Sequence, residues 1–101
     1  MVETLKQKAK GLMADVPGEY VFRCCNGHIV HNMRELGEEL KTMSSENYAF
    51  HANMEKNDFA NWVKDIIKDA TLAKNLQKSQ NQAQADKLVS SRIVTLSGKL
   101  A

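Results

Sequence analysis

No apolar run in this sequence comes near the roughly 20 residues that span a bilayer. That absence excludes a helical membrane span, and no membrane partner is expected. Lys6, Lys8 and Lys10 stand near the N-terminus without an apolar segment after them, so no signal peptide is expected. Cysteine is scarce, and Cys24 and Cys25 are adjacent. Neighbouring cysteines rarely bridge each other, because the geometry demands strain. A disulfide scaffold is therefore excluded, and a reducing, cytoplasmic location is the simpler expectation. A dominant charge is also missing: the formal net charge is +2, too small by itself to argue for nucleic acid. There is no internal repeat at solenoid lengths. Walker A, GxGxxG, HExxH and EF-hand patterns are absent, as are helix-turn-helix and zinc-finger signatures. Neither a cofactor nor an enzymatic activity is expected.

What is present is an ordinary globular composition, with 43% hydrophobic and 26% charged residues. The 101 residues fit one domain and can bury a core without metal or disulfides. The clearest pattern lies in His51–Lys68. Phe59, Trp62, Val63, Ile66 and Ile67 fall at i, i+3, i+4, i+7 and i+8, which predicts an amphipathic helix from about Asp58 to Lys68. Asn57 or Asp58 can cap it. Trp62, the only tryptophan, is read as core rather than as a stacking platform for a base or sugar.

Before this stretch, Leu5, Ala9, Leu12 and Met13 predict a helix over residues 2–13, ended by the Pro17-Gly18 turn. Tyr20–Cys25 and His28–His31 flank Asn26-Gly27, the signal for a hairpin closed by a type I′ turn. Asn32 and Glu35 read as a variant capping box. Met33, Leu36, Leu40 and Met43 follow on one helical face, and Ser44 or Ser45 caps a further short helix. After Asp69, which can cap a helix bearing Leu72, Ala73 and Leu76, residues 77–87 lack large apolar side chains and read as a polar helical linker. Leu88, Val89, Ile93, Leu96 and Leu100 resume a stripe in a C-terminal amphipathic helix over 88–100. The expected fold is mainly α with a minor β part: a helical core over 33–76, four to six helices in all, and a small N-terminal β-hairpin over 20–31.

Two segments together resemble a family of small archaeal and bacterial domains of unknown function. One carries Gly27, Ile29, Asn32, Glu35, Leu36, Leu40 and Thr42-Met43-Ser44; the other runs from His51 through Asp58-Phe59-Ala60-Asn61-Trp62-Val63 to Asp69. The resemblance covers roughly Phe22 to Leu76. It implies one known domain, found alone or attached to larger proteins, and it implies no activity, substrate or catalytic residue. Cys24-Cys25 and the glutamine-rich tail depart from the pattern.

Cys24, Cys25, His28 and His31 carry zinc-type donors within eight residues. Adjacent cysteines do not fit structural zinc spacing, and alternate strand residues face opposite ways, so no metal is expected there. A Cys25 nucleophile activated by His28 or His51 is conceivable, but no third orienting group is evident. His51 is read as bonding the cap or backbone of the following helix. Glu35, Glu38 and Glu39 read as a solvated helix face. They lack the paired histidines of di-metal helical motifs.

Charge is uneven. Residues 24–63 carry three basic and six acidic side chains, whereas residues 64–101 carry seven basic and three acidic. The leading expectation is a non-enzymatic protein–protein interaction or scaffold role. The partner is unknown or a second copy, and Leu88, Ile93 and Leu96 are candidate docking residues. The alternatives are nucleic-acid binding through Lys64, Lys68, Lys74 and Lys78, and a metal or thiol site at Cys24, Cys25, His28 and His31.

Overall fold

A short polar side chain opens every helix. In a computed structural model, which describes residues 4–100, Thr4 caps α1 (Leu5–Met13) and Asn32 caps α2 (Met33–Thr42). Ser44 caps α3 (Ser45–His51), Asn57 caps α4 (Asp58–Trp62) and Asp69 caps α5 (Ala70–Lys78). Asn81 accepts from the Gln84 N–H ahead of α6 (Gln82–Leu100). Each cap satisfies a first-turn N–H that has no partner inside the helix. The chain is mainly helical, with six α-helices and one small antiparallel hairpin among the described residues. Val2, expected in the first helix, lies outside the described residues.

The hairpin pairs β1 (Phe22–Arg23) with β2 (Ile29–Val30), Phe22 opposite Val30. Its turn differs from the expected two-residue form. Gly27 N–H donates to the Cys24 carbonyl, Cys24 N–H donates to the His28 carbonyl, and Gly27 alone takes a positive φ, of 90°. This is a glycine bulge after a longer turn, which needs one left-handed residue where type I′ needs two. The Asn32 capping box is displaced in a similar way. Glu35 accepts from the N–H of His31, one residue earlier than a capping box requires.

The long predicted helix at Asp58 holds as a helix but changes pitch. After Trp62 it widens into a π-helical turn, Val63–Ile67, and stops at Lys68 with φ 70°. The wider turn rotates the stripe. Val63 and Ile67 stay buried, but Ile66 becomes half-exposed. Leu36, Leu40, Phe59 and Trp62 are buried as expected. The Trp62 indole N–H donates to the Tyr20 carbonyl at 2.7 Å, and its ring meets Phe22 edge-on. That partner satisfies the indole's only donor and makes Trp62 a core residue tied to the N-terminal segment.

The largest departure lies at the C-terminal end. Residues 77–87 are not one helical linker: α5 ends at Lys78, and α6 already begins at Gln82. The short side chain of Ala85 is what lets this polar stretch approach the core, where it is almost completely buried. Gln82 donates to the Leu40 and Met43 carbonyls and so closes the C-terminal end of α2. From there α6 lies along α2 and α1. Val89 and Leu96 are buried in the core, with Leu88, Ile93 and Leu100 half-buried beside them. Gly37 allows this close approach, because a Cβ there would sit 3.1 Å from Ile93 Cδ1.

The buried carboxylate of Asp69 joins these elements. One oxygen caps α5, and the group also accepts from Arg92 Nε at 2.7 Å on α6. Asp69→Ala removes the cap and leaves Arg92 without its counter-charge, so a loss of about 3 kcal/mol is expected in urea denaturation. Asp69→Asn keeps an acceptor for the cap and is expected to lose less.

Candidate functional site

The four zinc-type donors do not form one group. Cys24 lies buried on the core side of the hairpin, and Cys25 is exposed, its thiol against Asn47. Burial, then the nearby charges of Glu39 and Cys25, push the Cys24 thiol up to about 11. A thiol held protonated at neutral pH is a poor nucleophile, since the thiolate is the reactive form. His28 instead pairs through Nδ1 with Glu39 of α2, and His31 pairs with Glu35 at 2.7 Å. Among the described residues no three His, Cys, Asp or Glu side chains converge as a metal site. The Glu39 carboxylate, expected in a solvated face, is buried because its His28 partner crosses from the hairpin to cover it.

His51 does gain the orienting group that the sequence left unseen. Its Nδ1 bonds Asp58 at 2.9 Å, and its Nε2 accepts from the Cys25 backbone N–H at 3.0 Å. The second contact assigns the ring proton to Nδ1, which then donates to Asp58. The ring is buried among Phe22, Phe50 and Phe59. A Cys25–His51–Asp58 order resembles a nucleophile, base and orienter. Here the lone pair of the would-be base is already engaged by backbone, and the Cys25 thiol turns to Asn47. The arrangement locks the hairpin turn to the start of α4, as the expected cap-bonding role requires. His51 and Asp58 are seven residues apart, on opposite sides of a loop, so no helical or strand period links them.

The charged side chains divide unequally between paired and free. In the C-terminal half Asp69 takes Arg92, and Asp86 takes Lys41 from α2. Among the described residues Lys64, Lys68, Lys74, Lys78, Lys87 and Lys99 have no carboxylate within salt-bridge distance. All six are exposed. Lys74 and Lys78 share one face of α5, as i, i+4 spacing requires. Lys68 leaves its helix in the left-handed conformation, so Lys64 and Lys68 do not form the expected pair on one helix. Leu88, Ile93 and Leu96 pack into the protein's own core. As a stripe they are not free to dock a partner, because α1 and α2 already cover it.

A groove of about 320 Å³ runs between α5 and α6, with Lys78 and Lys87 in its lining and the exposed part of Leu88 beside them. A larger hollow of about 470 Å³ near the α3–α4 loop is rich in amides. Its Asn53 and Asn57 side chains are already spent on the Ala49 and Leu76 carbonyls and on the Glu55 and Ala60 N–H groups. The α5–α6 face is therefore the better candidate for binding.

The chain matches no known protein family, no curated protein and no solved structure. The likeness across residues 22–76 stays a resemblance. No helix of the described residues is long and apolar enough to cross a membrane.

The carboxylate contacts give a pH dependence. Burial works to raise Asp58, but hydrogen bonds from His51 and Lys56 outweigh it and hold the group below its ordinary value. Glu35 is held low by the backbone and then the side-chain hydrogen bonds from His31. A carboxyl group that is more acidic when folded stabilises the fold above its unfolded pKa. That stabilisation is lost as pH falls through the folded value. Denaturation midpoints are expected to be insensitive to these two groups above about pH 5 and to fall below about pH 4. Asp58→Asn should lower stability at neutral pH and flatten the acid limb. A variant with the wild-type acid limb would show that the His51–Asp58 contact contributes nothing.

Proposed function

We propose that this protein is a non-enzymatic binding module that holds an anionic protein partner on its α5–α6 face. The observation that carries the reading is the set of exposed lysines on this half of the chain, Lys74, Lys78 and Lys87 above all, left without carboxylate partners. A surface with several unpaired positive charges attracts an anionic partner over the Debye length and orients its approach. The catalytic alternatives have little support, since the Cys24 thiol is buried and both nitrogens of His51 are engaged.

A second reading is nucleic-acid binding through the same lysines, which phosphate contacts alone could support. Neither α5 nor α6 carries an aromatic side chain for base stacking, and Arg92, the only arginine on the two helices, is taken by Asp69. A protein partner is therefore favoured.

The test is amine-reactive cross-linking of the full chain in cell extract, read by mass spectrometry. Cross-links from Lys74, Lys78 and Lys87 to an acidic protein are expected, and co-purification of that protein without cross-linker should be lost when all three are changed to Glu. Partners joined mainly through Lys6, Lys8 and Lys10 would overturn the reading. A partner lost on nuclease treatment would transfer it to nucleic acid.

A further inference from the structure

Charge alone would make the α5–α6 face a diffuse attractor, but its relief is more specific. The groove between the helices is lined by Lys78 on α5 and Lys87 on α6. Half-buried Leu88 lies between the core and the groove, so one side of its side chain is still open. Asn75 and Ser91 add polar groups to the lining. Among the described residues, the side chains of Asn75, Lys78, Lys87 and Ser91 make no hydrogen bond within the chain. No carboxylate lines the groove. On α6 the exposed face continues from Ser91 to Val94, which is 73% exposed. Unspent donors, two ammonium groups and an apolar floor thus meet in one concavity.

From this we infer that the α5–α6 groove is a docking site for an acidic amphipathic segment of a protein partner. An apolar side chain of that segment covers Leu88, and its carboxylates meet Lys78 and Lys87. Charge complementarity selects this occupant. A second copy of the chain fits less well, because its exposed acidic groups outside the ion pairs, among them Glu19, Glu46, Glu55 and Asp65 besides Glu38, lie on separate segments and not along one amphipathic helix. Glu35 and Glu39 are taken by His31 and His28, and Asp58 by His51 and Lys56. Glu38 shares the exposed side of α2 with Arg34 and Lys41. A nucleic acid would satisfy the lysines but leave Leu88 and Val94 uncovered. Helix-in-groove recognition uses both parts: apolar anchors at helical spacing and charged groups around them.

The inference rests on the binding-module reading and narrows it to one groove and one kind of ligand. The probe is a labelled synthetic peptide of about 18 residues, with leucine along one helical face and glutamate elsewhere. Its binding to the full chain is read by fluorescence anisotropy. Two comparison peptides replace all the glutamates by lysine or all the leucines by serine, and a single-stranded and a duplex DNA of similar length complete the set. The acidic amphipathic peptide is expected to bind best. Lys78→Glu with Lys87→Glu should weaken it by about tenfold or more, whereas Lys64→Glu with Lys68→Glu should change it by less than about twofold. Ser91→Tyr fills the groove from an exposed position without touching the core and should also weaken binding; circular dichroism checks that each variant is folded. Equal loss in both double-lysine variants would mean attraction without a groove and would overturn the inference. Equal binding of the serine peptide, or tighter binding of either DNA, would overturn it as well. Cross-links that map to α5 and α6 while Ser91→Tyr binds the peptide normally would sink the groove and leave the binding-module reading standing.

Discussion

The face of α6 that turns inward controls the rest of the structure. Ala85, Val89 and Leu96 are buried along one side of the helix, and Gly37 on α2 lets the two backbones approach. Removing apolar surface from water dominates the favourable side of folding, and this contact buries a continuous strip of it. Once the strip is inside, the polar side chains have no freedom of placement. Gln82 reaches the end of α2, Arg34 reaches Ser97, and Lys41 reaches Asp86 and Ser90. Lys87, Ser91 and Val94 are left facing solvent by the same rotation.

Charge pairing follows from that packing. Asp69 is buried where α5 begins, so it needs a counter-charge, and Arg92 lies within reach only because α6 has docked. Asp86 is drawn to Lys41 by the same contact. Two of the three acidic groups in the C-terminal half are consumed in this way, and the lysines are not. The positive character of the exposed α5–α6 surface therefore exceeds what residue counts suggest. Uneven composition along the chain became a localised field because two of the three acidic groups in this half are paired while its six lysines are not.

At the opposite end, all three histidines are bound through Nδ1 to carboxylates: His28 to Glu39, His31 to Glu35 and His51 to Asp58. These pairs attach the hairpin to α2 and α3 to α4. Such contacts give short elements a fixed geometry that two-residue strands could not hold alone. They also show why donor residues clustered in the sequence form no shared centre: His28, His31 and Cys25 each meet a partner on another element, and Cys24 is buried.

The sequence by itself determined the helical character, the polar caps ahead of α2, α3, α4 and α5, and the side of α4 that faces the core. These depend on local spacing: i, i+3, i+4 periodicity for Phe59, Trp62 and Val63, and a short polar side chain before each first turn. Asn26-Gly27 likewise announced a turn, although its bulged form depends on how the strands meet. Tertiary structure alone decided the burial of Ala85, the rotation of Ile66 out of the core, the Asp58 partner of His51 and the groove between α5 and α6. Each of these depends on which elements pack together, not on spacing within one element. The C-terminal stripe could have buried itself on this chain or on another. Gly37 and the buried Asp69 made α1, α2 and α5 the surface that received it, and so left Lys74, Lys78 and Lys87 exposed beside a half-buried Leu88.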